Sequence, residues 1–162
     1  MFQASNQDIR ETIKRCGLIV LRDCGGEHGQ VRTITCGFTE HGLPELICLG
    51  LDSELIWRRM NQVFHEMVIA KTRQPGPFVT DEWFTMSMHV VQANRKLAAQ
   101  YAYGTERYYA GTGKTPQYMQ MAWPDATGKF PWEPGFAEKY KAQQPNLKAR
   151  LELVPNISTP SP

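Results

Sequence analysis

The chain has 162 residues, 41% hydrophobic and 21% charged, and its 18 basic and 16 acidic side chains leave a net charge of +2. That length suits one domain with a proper core, and the composition is globular rather than disordered. A balance this near neutral gives no footprint for nucleic acid or an anionic membrane surface, and the longest apolar run, residues 46–51, is far short of the roughly 18 residues a membrane helix needs.

The first fifteen residues carry their charges in an amphipathic pattern without an apolar signal core, which points to a cytoplasmic protein. Cys16, Cys24, Cys36 and Cys48 contain no C-x-x-C pair, and three of them sit in or beside apolar segments, as reduced thiols do. Cys24, His28, Cys36 and His41 are zinc-ligand types, but their spacing is unusual for a structural site and Cys36 belongs inside a sheet; no metal site is expected.

In chain order, Ser5 and Asp8 form a capping box ahead of Ile9, Ile13 and Cys16 on one helical face, with Gly17 placed to stop the helix. Residues 18–22 read as a short strand, residues 23–26 as a turn, and residues 31–39 alternate as a half-buried strand. A polar turn, Glu40-His41-Gly42-Leu43, leads to Pro44 and a strand over residues 45–51, apolar enough to be covered on both faces. So short a connection makes the two strands antiparallel. Asp52 or Ser53 caps a helix carrying Ile56, Met60, Val63, Phe64 and Met67 at a 3.6 period, with His65 off the stripe.

Residues 74–77 break that helix. A strand follows over residues 83–91, then a tyrosine-rich helix over 95–110 interrupted by Gly104, and a strand over 118–123. A short helix is expected around 137–143 and a frayed tail over 151–162, leaving residues 1–150 as the domain.

Gly111-Thr112-Gly113-Lys114-Thr115 imitates the end of a phosphate-binding P-loop, but Tyr108 stands where its first glycine belongs and Pro116 prevents a following helix. A helix-to-strand turn is the better reading. The segment WPDATGKFPWEPGF, residues 123–136, holds two tryptophans and two phenylalanines that must fold back over the sheet. It reads as a structural lid or as a pocket wall in which Trp123 or Trp132 stacks a planar ligand. On the polar turn, His41 has carboxylates in Glu40 and Glu45 that fit general acid–base chemistry, although such residues also serve simply to build a hairpin.

Thr35-Cys36-Gly37-Phe38-Thr39, His41-Gly42-Leu43-Pro44-Glu45-Leu46 and Gly50-Leu51, with Trp123-Pro124-Asp125, Gly128, Phe130-Pro131-Trp132, Pro134-Gly135-Phe136 and Gln144-Pro145, form a two-part signature. In it the chain resembles a bacterial family of uncharacterised proteins, domain of unknown function 4262. It departs from that pattern where Gly42 and Leu43 separate His41 from Pro44. The resemblance implies an architecture and no activity.

The expected fold class is α+β, a mainly antiparallel sheet with two or three packed helices. The leading function is a ligand- or partner-binding accessory or regulatory module, its partner an unidentified small molecule or protein, with Trp123, Asp125, Lys129, Trp132 and Arg32 as binding residues. The alternative is a hydrolase-like enzyme with His41 as base, Glu40 or Glu45 orienting it and Asp125 assisting. A weaker alternative is a flavin-binding split-barrel-like protein with Arg32 and Lys129 on the phosphate.

Overall fold

The computed structural model describes residues 4–25, 29–51, 54–80 and 87–150. Helix α1 (Asn6–Cys16) begins at the expected box: Ser5 Oγ accepts from the Asp8 N–H at 3.1 Å, and Asp8 Oδ2 accepts from the Ser5 N–H at 2.9 Å. Such a cap stabilises a helix by about 1 kcal/mol. Gly17, at φ 79°, ends the helix by returning its N–H to the Ile13 carbonyl.

Strands β1 (Ile19–Gly25) and β2 (Gln30–Cys36) pair antiparallel. Of the turn expected over residues 23–26, Asp23, Cys24 and Gly25 belong instead to the strand, pairing with Arg32, Val31 and Gln30, and residue 26 lies outside the described residues. Strand β2 stops at Cys36 rather than residue 39. Gly37 there takes φ 143° and starts a 3-10 turn, Phe38–His41, that Gly42 closes at φ 70°. Phe38 is nonetheless fully buried. Strand β3 (Glu45–Leu49) returns antiparallel to β2, with all five residues buried.

Helix α2 (Glu54–Phe64) buries Ile56, Met60, Val63 and Phe64 as its period requires, and continues into a π-helical turn, His65–Ile69. The expected cap at Asp52 or Ser53 lies outside the described residues. A short edge strand, β4 (Phe78–Thr80), absent from the sequence reading, pairs with β5 (Met88–Gln92). The expected strand over 83–91 is thus seen in its later part; residues 83–86 lie outside the described set. The helix expected over 95–110 is two, α3 (Arg95–Ala99) and α4 (Tyr103–Ala110). The break falls before Gly104, which sits inside α4 where an added Cβ would meet Leu21 Cδ1 at 2.9 Å. Strand β6 (Tyr118–Ala122) and the single turn of α5 (Glu138–Lys141) follow.

The strands form one sheet in the order β1-β2-β3-β6-β5-β4. Neighbours are antiparallel except the central pair, where β3 and β6 run parallel with Glu45 beside Tyr118. Every residue of both central strands is buried, the pattern of strands covered on two faces. Leu46, Cys48, Met119 and Met121 point to one side and pack with the apolar stripe of α2. Ile47, Leu49 and Tyr118 point to the other, against Ala98 and Ala102, while Ile9, Cys36, Tyr108 and Tyr109 extend that layer beneath α1 and α4. Among the described residues no helix is long and apolar enough to cross a membrane.

The turn after β2 depends on a glycine for two reasons. A Cβ at Gly37 would need a left-handed backbone and would stand 2.4 Å from the Gly17 carbonyl oxygen; one at Gly42 meets nothing within 4 Å. Gly37→Ala should cost more than about 2 kcal/mol by urea denaturation, and Gly42→Ala about 1 kcal/mol, the left-handed penalty alone.

Candidate functional site

Glu45 opens β3, and its side chain turns back under the 3-10 turn. Oε1 accepts from the Gly37 N–H (3.0 Å), the Thr39 N–H (2.9 Å) and the Tyr109 hydroxyl (3.1 Å). Oε2 accepts from the Thr35 hydroxyl (2.7 Å) and the Phe38 N–H (3.3 Å). The residue is fully buried and turned away from the acid–base group expected around His41. A carboxyl removed from water must gather donors, and the turn supplies them. Burial, and next the nearby Glu45, push the Tyr109 phenol well above its ordinary range; the same two causes raise the Cys36 thiol.

The other two members of the expected acid–base group are directed elsewhere. His41 is exposed and sets its ring edge-on to Phe64, with centroids 5.7 Å apart. Glu40 pairs with Lys114, from the P-loop-like segment. That segment joins α4 to β6, as a helix-to-strand turn should. Cys24 and Cys36 stand at opposite ends of the β1–β2 ladder, opposite Val31 and Ile19, so these two zinc-ligand types do not meet; His28 lies outside the described residues.

After β6, Asp125 organises a second loop. Its Oδ1 accepts from the Thr127 hydroxyl (2.7 Å), the Thr127 N–H (2.8 Å) and the Lys129 N–H (3.1 Å), and Oδ2 from the Ala137 N–H (2.9 Å). The Thr127 hydroxyl is the largest of the influences that hold this carboxyl down to about 2. Trp123 is 7% exposed; its indole N–H donates to the Leu49 carbonyl at 2.9 Å. Gln144 exchanges two bonds with the Trp123 backbone, each 2.8 Å, and Gln120 does the same for Pro145 and Leu147 at 2.9 Å. Each amide stands in for a peptide group and ties residues 144–147 to β6.

Trp132 lies apart from Trp123. It stacks on Phe130 at 5.2 Å, Phe130 stacks on His89 at 4.0 Å, and the Lys148 ammonium lies over Trp132 at 4.8 Å. His89 is therefore a sheet-face residue clamped by the returning segment. Arg32 bonds Gln30, approaches Asp23 and lies over Tyr101, while the Lys129 ammonium is beside Gly135. These two cations occupy separate neighbourhoods rather than one phosphate-sized site.

The parallel register sets the larger geometry. Residues 37–44 precede β3 and residues 123–129 follow β6, so the two halves of the signature stand mainly at opposite ends of the sheet. His41 and Asp125 are not brought together. What does converge is Gly50-Leu51, beyond β3, with Trp123, Pro124, Asp125 and Ala126, beyond β6; Tyr140 and Gln143 close a crevice of about 420 Å³. Gly50, at φ 77°, is needed there, because a Cβ would stand 2.7 Å from the Gln143 carbonyl oxygen. After β3 the chain crosses to α2 on one face. After β6, Phe130 stacks on His89, which alternates with Met88 and Val90 and so looks out from the other face. Connections that part at the carboxyl ends of neighbouring parallel strands open a crevice of the kind α/β proteins use for ligands. Of the five expected binding residues, Trp123 and Asp125 line it, and Trp132, Lys129 and Arg32 do not. Tyr140 and Gln143 escaped the sequence reading, which treated residues 137–143 as a plain short helix.

The chain matches the family model described as Domain of unknown function (DUF4262) over residues 12–137, and it belongs to that family. No curated protein matches it. No solved structure matches it either.

Two consequences are measurable. Glu45→Gln puts an amide N–H₂ among five donors and should cost about 3 kcal/mol in urea denaturation, whereas His41→Ala should stay within about 0.5 kcal/mol of the parent. Asp125 is held below the ordinary value of about 3.9, so its contribution to stability is complete above that pH and is lost as pH falls through about 2. The Asp125→Asn chain should accordingly be less stable at neutral pH, and its deficit should close between about pH 4 and 2 in denaturation midpoints.

Proposed function

We propose that this chain is a small accessory or regulatory binding module, and that its binding surface is the crevice at the carboxyl ends of β3 and β6. The observation that carries this reading is the meeting of Gly50-Leu51 with residues 123–126, two parts of the family signature far apart in sequence, around one opening of about 420 Å³. That volume lies within the range of small-molecule sites, about 300 to 1,000 Å³. Tyr140 stands edge-on to Trp123 at 5.2 Å and offers a ring to a flat apolar group, while Gln143 is exposed at the rim. The Asp125 carboxylate shapes the wall through its loop bonds and is not free to act as an acid or base. All four cysteines carry free thiols, in keeping with a cytoplasmic setting.

A screen of small aromatic and aliphatic metabolites, read by ligand-observed NMR, should yield binders that lose roughly tenfold or more in affinity in Ala126→Arg and in Tyr140→Ala. Trp132→Ala should leave those affinities unchanged while lowering stability by about 2 kcal/mol, since its half-buried ring packs on Phe130, His89 and Lys148 and lines no part of the crevice. Binders indifferent to both crevice substitutions would place the site elsewhere.

A further inference from the structure

A second opening lies at the other end of the parallel pair. There the 3-10 turn and Pro44 face Lys114, Thr115 and Gln117 across a cleft of about 430 Å³. Glu40 and Lys114 come from segments 74 residues apart and meet across it, with side chains 27% and 45% exposed. An ammonium has three donors and a carboxylate two acceptor oxygens, so one contact between them leaves capacity on both. Thr39 also lines the cleft, with its hydroxyl turned inward, where it helps lower the Tyr109 phenol against the larger effect of burial.

We infer that this cleft binds a small zwitterion of the α-amino acid class, its carboxylate on Lys114 and its ammonium on Glu40. An exposed ion pair is worth at most about 1 kcal/mol, so opening this one costs little. A zwitterion entering between the partners exchanges one ion pair for two and leaves no charge alone. A simple anion satisfies Lys114 but strands Glu40, and a simple cation does the reverse. Leu43 and Pro44 offer the apolar wall for its side chain. This site shares no lining residue with the crevice near Trp123.

The test is to titrate the full chain with the common free L-α-amino acids, their N-acetyl and methyl ester derivatives, and inorganic phosphate, following melting temperature and calorimetric heat. At least one free amino acid should bind saturably, and its two blocked derivatives should bind roughly tenfold or more weakly, since each lacks one charge. Lys114→Met and Glu40→Gln should each weaken binding by a similar factor. Thr115→Trp, which fills the cleft without touching the ion pair, should abolish it, and Tyr140→Ala in the separate crevice should leave it intact. Failure of every free amino acid to bind, equal binding of the blocked forms, competition by phosphate alone, or insensitivity to the cleft substitutions would each overturn the inference.

Discussion

Five hydrogen bonds converge on the buried carboxyl of Glu45, and they come from three parts of the chain: Thr35 on β2, the turn at Gly37, Phe38 and Thr39, and Tyr109 on α4. Its backbone adds a sixth connection, the Glu45 N–H donating to the Gln117 carbonyl at 2.8 Å where the parallel ladder begins. Thr35 relays the network, accepting from the Leu46 N–H through its hydroxyl and from the Thr105 hydroxyl through its carbonyl. Sheet, turn and helix layer are thereby fixed to one another at a single residue. A buried carboxyl deprived of such donors is costly, so the turn and its acceptor specify each other.

Asp125 repeats this arrangement at the far end of the same strand pair, accepting from Thr127, Lys129 and Ala137. Both residues belong to the two-part signature, and both invite an acid–base interpretation when seen in sequence. Their shared physical task is to hold irregular backbone in place where a central strand begins or ends. The side chains that line the two openings beside them include others: Tyr140 and Gln143 at one end, Glu40 and Lys114 at the other.

Local signals predicted the local structure well. The Ser5–Asp8 box, Gly17 and the stripe from Ile56 to Phe64 produced helices where their periodicity placed them. The almost wholly apolar run of residues 45–51 foretold a strand covered on both faces. What sequence could not show was the partner strand, since the pairing of Glu45 with Tyr118 joins residues with no local relation. Hence the separation of His41 from Asp125 was hidden too. Glu45 was misplaced for a related reason: a carboxyl flanked by Pro44 and Leu46 looks solvated until Tyr109, from another element, is set beside it. The split between α3 and α4 was invisible because Ala98 and Ala102, both good helix formers, are buried against the sheet on either side of the break.

The position of β6 also dictates an order of assembly. It lies between β3 and β5 in the sheet yet comes last in sequence. Strands β1 to β3 can pair as they emerge from the ribosome, and β4 can meet β5, but neither group has a partner in the other until residues 118–122 arrive. Until then β3 is a sheet edge whose every residue is destined for burial. Synthesis of the intervening 70 or so residues takes several seconds at about 5 to 20 residues per second, which exposes a sticky edge of just the kind that invites mispairing. A keystone strand made late therefore gives this small protein a reason to depend on chaperones during its birth.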